Sequence, residues 1–216
     1  MTYLEIVNEV LARLRQDSIN TVVSQDDESA KMVIALVNDA KTKVENAWNW
    51  NVLRTQWVIP TVQGTKTYSL DGSDTYVRID YATEDDKGYF LNQTSVRDLK
   101  RKHQGGVAES FPLTFAINGT NASREVNIDL WPTPAVAGQL TIEGFQNQVA
   151  LSGDDDVLLV PHLPVVYEAL AMAARERGEV GGQTSLEIFG VAKRYLEDAV
   201  ALDSALSPLD NIWYSV

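Results

Sequence analysis

A chain of 216 residues with 18 Lys and Arg against 30 Asp and Glu carries a formal charge of −12, is 44% hydrophobic and contains no cysteine. Disulfides, thiolate catalysis, iron–sulfur clusters and Cys-ligated zinc are therefore excluded, and the apolar fraction argues against wholesale disorder. The acidic balance argues against a protein that tracks nucleic acid by neutralising phosphates, and the length suits one domain or a small domain with an insertion.

The N-terminus reads as a helix: Thr2-Tyr3-Leu4-Glu5 has capping-box spacing, and Leu4, Val7, Leu11 and Leu14 recur every three or four residues. A polar stretch from Gln16 to Asp27 follows. A second, longer helix then starts near Asp27, with Ala30, Val33, Ile34, Val37, Val44 and Trp48 in helical spacing and Lys41 as the one polar exception. No positive segment followed by an apolar run marks the N-terminus, and no apolar run is long enough to span a bilayer, so the expectation is a soluble intracellular product without membrane contact.

After Trp48-Asn49-Trp50-Asn51 the texture changes to short runs of β-branched and aromatic residues separated by Gly, Asp and Asn. Strands are expected at Thr55–Ile59, Lys66–Leu70, Tyr76–Thr83, Tyr89–Asn92, Leu113–Ile117, Glu125–Trp131 and Gln139–Phe145. Asp71-Gly72, Asp86-Lys87-Gly88 and Asn118-Gly119 supply turn residues, the last opening a loop through Ser123. Ser95 to His103 reads as a short basic helix interrupting the sheet. From Pro161 the helical period returns, first through Leu163, Val166, Leu170, Ala173 and Ala174. It continues through Leu186, Phe189, Ala192, Leu196, Val200 and Leu206, with a gap at Asp203. Gly178 to Gly182 connects these two helices.

This order predicts an α+β fold. If the helices pack together, residues 1–53 and 151–206 form a four-helix domain, and residues 54–150 form an inserted antiparallel β lobe. Residues 207–216 form a C-terminal docking tail. The alternative is two helical hairpins flanking a β core.

Chemistry is sparse. Asp154-Asp155-Asp156 lacks the alternating ligand spacing of a calcium loop, and Glu84-Asp85-Asp86 is ordinary turn composition. His103 and His162 stand far apart, with no nucleophile motif, zinc helix or phosphate loop near either. No catalytic residue, metal site or cofactor is expected. Arg97, Lys100, Arg101, Lys102 and His103 form a basic cluster that is either a solvated face or a dock for an acidic partner or backbone. Trp48 and Trp50 are suited to filling the seam between the two lobes. Ile212, Trp213 and Tyr214 form an adhesive terminus, which either folds back on its own bundle or anchors in a partner.

The whole organisation resembles the head-to-tail adaptor, or connector, proteins of tailed bacteriophages, including the tail tubular protein A group. The likeness lies in Val7-Asn8-Glu9-Val10-Leu11 and in the second helix running into Trp48-Asn49-Trp50-Asn51. It continues through Leu130-Trp131-Pro132-Thr133-Pro134, then Pro161-His162-Leu163-Pro164 leading into Tyr167-Glu168-Ala169-Leu170-Ala171, and a long final helix with Tyr195 and Leu196. The resemblance implies a non-enzymatic ring subunit, typically one of twelve copies, at the neck of the virion and in the host cytoplasm during assembly. Its partners would be the portal protein, the tail tube or nozzle protein and other copies of itself. DNA would pass through the lumen without specific binding. By the same resemblance the C-terminal extension reaches toward the portal, which assigns portal docking to Pro208, Leu209, Ile212, Trp213 and Tyr214, while the β lobe faces the tail component. Rival readings are another virion ring such as a tail terminator or stopper, a host interaction module, or a cell-wall hydrolase with paired carboxylates, for which Glu168→Gln is the test.

Overall fold

A computed structural model describes residues 1–73, 76–84, 88–106, 109–176 and 183–206. In chain order, α1 (Tyr3–Arg13) and α2 (Glu28–Ala47) lead through a 3-10 turn at Asn51–Leu53 into β1 (Arg54–Thr61), β2 (Thr67–Ser69), β3 (Val77–Glu84) and β4 (Tyr89–Gln93). Then come α3 (Val96–Gln104), β5 (Glu109–Ser110), β6 (Thr114–Thr120), β7 (Val126–Trp131), β8 (Thr133–Pro134) and β9 (Gly138–Gln146). Two helices close the order, α4 (His162–Glu176) and α5 (Gln183–Leu206). The chain divides into two compact units, Met1–Leu53 with Gln148–Val216, and Arg54–Asn147.

In the first unit, local chemistry sets the helix starts. Thr2 and Glu5 form the capping box reciprocally, each side chain bonded to the other's backbone N–H. Asp27 caps α2 by accepting from the backbone N–H of Ser29 and Ala30. The apolar stripe of α1 is broader than the spacing from Leu4 predicts. Tyr3, Ile6, Val7, Val10 and Leu11 are buried because both α2 and α4 cover the helix, while Leu4 and Leu14 sit at its margin. α4 is enclosed on most sides by α1, α2 and α5, which its run of small residues, Ala169, Ala171, Ala173 and Ala174, permits by letting neighbouring helices approach closely. The Tyr3 hydroxyl donates to the Ile34 carbonyl at 2.6 Å, and burial, with Asp156 nearby, pushes its pKa up to about 12.

The second unit is a seven-stranded sheet in the order β1-β9-β3-β4-β6-β7-β2, with a separate two-stranded sheet of β5 and β8. β1 alternates, burying Trp57, Ile59 and Thr61 against exposed Gln56, Val58 and Pro60. Pro60 is tolerated because β1 pairs only with β9 and stands at an edge. The other edge, β2, follows β1 directly in sequence. The Tyr68 hydroxyl bonds back to Val62, accepting from its N–H and donating to its carbonyl at 3.0 Å each, so the sheet nearly closes into a barrel. Its interior is filled by Trp57, Tyr68, Leu70, Phe115, Ile128, Leu130, Leu140 and Ile142 among others. Gly144 on β9 admits the neighbouring strand where β3 slips register between Ile79 and Tyr81; a Cβ there would stand 2.5 Å from the Arg78 carbonyl oxygen.

The expected four-helix domain with an inserted antiparallel β lobe is overturned. Five α-helices occur among the described residues, and the sheet is large, mixed and nearly closed. The fifth helix explains the mixing. β6 runs parallel to β4, pairing Asn92 with Thr114 and Gln93 with Phe115, and parallel neighbours need a crossover longer than a hairpin, which α3 supplies. Asn118-Gly119 is also not the opening of a loop. β6 continues through Thr120 over a bulge at which Gly119 takes φ +76°, and the turn begins at Asn121. The Gly178 to Gly182 connection, Asp85 to Lys87 and residues 207–216 lie outside the described residues. No described helix is long and apolar enough to cross a membrane.

Candidate functional site

The most distinctive surface lies along the last helix. α5 spans 24 residues, about 36 Å at helical rise. Its apolar positions predict one buried face, yet only part of that face is covered. Ala192 is buried and Leu196, Ala199 and Val200 are partly packed, while Leu186, Leu202 and Leu206 are 69%, 73% and 74% exposed. Among the described residues α4 covers α5, and they leave the remainder of the stripe open.

Where the end of α5 passes the start of α4, an apolar groove of about 480 Å3 opens. Pro161, His162, Leu163 and Pro164 form one wall, and Tyr195, Ala199, Leu202 and Leu206 the other. Tyr195 is fixed by a stack on Tyr167, with ring centroids 4.8 Å apart and planes 21° from parallel. Arg13 donates to the Tyr167 hydroxyl at 2.8 Å and lies over the same ring, and it is ion-paired with Glu9 on its own helix. Aromatic packing backed by a guanidinium thus holds one wall in place.

Asp203, read from sequence as a gap in the apolar pattern, ties α5 to the exit from α2. Its carboxylate accepts from Trp48 Nε1 at 3.0 Å and from the Asn51 N–H at 3.2 Å, and its backbone carbonyl accepts from Asn51 Nδ2 at 3.2 Å. Trp50, two residues on, is 1% exposed and donates Nε1 to the Val44 carbonyl at 2.8 Å. Both tryptophans therefore bond within the unit of Met1–Leu53 and Gln148–Val216. Pro208, Leu209, Ile212, Trp213 and Tyr214, to which the resemblance assigns portal docking, lie outside the described residues.

Lys41, the polar exception on α2, is buried with Glu45. Its ammonium lies 3.1 Å from Glu45 Oε1 and donates to the Gln148 carbonyl at 2.6 Å, while the Gln148 N–H donates to Glu45 at 3.3 Å. Lys41 and Asp203 carry the same signal in the sequence, a charged residue on an otherwise apolar face, but their partners do not show there.

Several of the remaining candidates make internal bonds. Asp154 accepts from Val22 N–H at 2.6 Å and from Thr21 Oγ1 at 3.1 Å. Asp156 accepts from the backbone of Gly153 and Ser152, which holds its carboxyl below the usual range. Among the described residues no group of three or more His, Asp or Glu could hold a metal ion. Glu168, the residue on which the hydrolase reading turned, is ion-paired with Lys43. His103 Nε2 is 3.2 Å from the Leu130 carbonyl, and Lys102 lies over the Trp131 ring at 4.6 Å.

A molecule with an under-covered helix, a fixed apolar groove and polar groups spent on internal bonds is equipped to assemble. No curated protein matches the sequence. The family model described as SU10 adaptor protein matches residues 1–209, nearly the whole chain. The chain therefore belongs to the SU10 adaptor protein family and is a phage adaptor protein, a membership that implies a structural, non-enzymatic role in the virion neck in association with other virion components.

Proposed function

We propose that this chain is one subunit of a homo-oligomeric ring of twelve copies that joins the portal protein to the tail tube or nozzle below and encloses part of the DNA path. The observation that carries this reading is the family match across residues 1–209. The exposed apolar residues of α5 and the groove beside them support it, because apolar surface that the described residues leave uncovered is what a neighbouring protein buries. In this reading the segment from Pro208 to Tyr214 grips the portal, with Trp213 and Tyr214 as anchors. Trp48 and Trp50 brace the junction from which the chain leaves for β1. The ring assembles in the host cytoplasm. The excess of acidic residues turned toward the lumen repels the duplex and lets it slide without specific binding.

The tail assignment has a direct test. Deleting Asn211–Val216 should leave a folded protein, with an unchanged circular dichroism spectrum, that portal rings no longer retain in a pull-down. Retention equal to that of the full chain would reject portal docking by the tail.

A further inference from the structure

Charge is unevenly distributed along the chain. Met1–Leu53 with Gln148–Val216 holds nine Lys and Arg against nineteen Asp and Glu, a net −10, whereas Arg54–Asn147 holds nine against eleven, a net −2. Within the second unit the positive charge is concentrated on α3. Arg97, Lys100 and Arg101 follow i, i+3, i+4 spacing and so share one face of the helix; all three are exposed and none forms an ion pair among the described residues.

The opposite face anchors the helix. Leu99 is fully buried, His103 meets the Leu130 carbonyl, Lys102 covers Trp131, and Ser95 caps the N-terminus by accepting from the Asp98 N–H. Like charges at this spacing repel, a cost that an anionic partner reverses. A rigidly held cationic ridge is thus presented outward by an acidic protein.

A complementary surface exists in the first unit. Asp154, through Val22 and Thr21, holds the turn at Ser152–Asp156 against the loop between α1 and α2. Asp27, Asp154 and Asp156 are spent on backbone N–H groups and fix the shape of this corner. Asp17, Asp26 and Asp155 are exposed on the same two segments, and none forms an ion pair among the described residues.

We propose that the Arg97, Lys100 and Arg101 face of one copy docks on the Asp26 and Asp155 corner of the next. Two different patches on one chain make a heterologous contact, the kind that closes into a ring when its rotation permits. A second copy is favoured over nucleic acid because the net charge of −12 repels phosphates, whereas a copy supplies the opposite charge in fixed geometry. This inference rests on the ring reading and specifies its lateral interface.

Charge swapping tests it. Lys100→Glu with Arg101→Glu, and separately Asp26→Lys with Asp155→Lys, should each lower assembly at least tenfold, read as copies bound per portal by native mass spectrometry. The chain carrying all four changes should recover, and wild-type assembly should weaken as salt rises from about 0.05 to about 0.5 M. Circular dichroism checks that each variant folds. Reversals that assemble like the wild type, or a fourfold variant as poor as the twofold ones, would overturn the proposal. So would an α3 reversal that spares assembly and abolishes retention of duplex DNA at low salt. If wild-type copies do not gather on the portal at all, the ring reading fails. Sedimentation of the concentrated free chain then decides the interface: salt-sensitive self-association with the same swap pattern supports it, and its absence overturns it.

Discussion

Replacing Trp50 with Ala should destabilise the unit of Met1–Leu53 and Gln148–Val216 by about 3–5 kcal/mol, the range for emptying a large aromatic site in a packed core. Trp50 is among the largest fully buried side chains, packed in the same core as Val44, Leu53 and Leu151, and its indole N–H satisfies the Val44 carbonyl near the end of α2. The substitution removes ring contacts and leaves that carbonyl without its side-chain donor. Trp50→Phe restores most of the volume without the donor and should cost less, about 1–3 kcal/mol. Trp48→Ala should cost least, since the ring is half-buried and Asn51 also bonds Asp203. Urea denaturation followed by circular dichroism orders the three. Equal losses at Trp48 and Trp50 would show that Trp50 is not the anchor of this junction.

Lys41→Met should be of similar severity, about 3–5 kcal/mol, because it strands a buried carboxylate. Lys41 and Glu45 sit one helical turn apart with side chains 2% and 1% exposed, and both bond Gln148, where the chain re-enters the helices after the sheet. The pair does not need to be strongly stabilising for its rupture to be costly, since desolvation of both charges has already occurred on folding. Pairing Lys41→Met with Glu45→Leu removes both charges and should recover most of the loss. The double-mutant cycle in urea measures the coupling directly. A double variant as unstable as Lys41→Met alone would mean that the bond to the Gln148 carbonyl, not the ion pair, dominates.

Much of the fold was legible in the sequence, and the failures have specific causes. Thr2, Glu5 and Asp27 announced their helices because capping is local chemistry. Strand positions showed in their period-two alternation, and the basic run from Arg97 to His103 marked α3. Pairing did not show. The parallel match of Asn92 with Thr114 depends on where α3 returns the chain, which no local pattern records. β5 and β8, two residues each and the latter ending in Pro134, are too short to carry a period. The site was harder still. Leu186 and Leu206 look like core residues in sequence, and their exposure depends on how much of α5 its neighbours cover. Asp203 and Lys41 were visible only as interruptions, and their meaning appears once Trp48, Asn51 and Gln148 are brought to them.

The proposed ring between the portal and the tail can be checked by electron microscopy of the full chain mixed with the portal protein of the same phage, beside the chain alone. The expected result is a closed ring of copies added to one face of the portal. Bare portals among separate adaptor particles without ordered neighbours would contradict it.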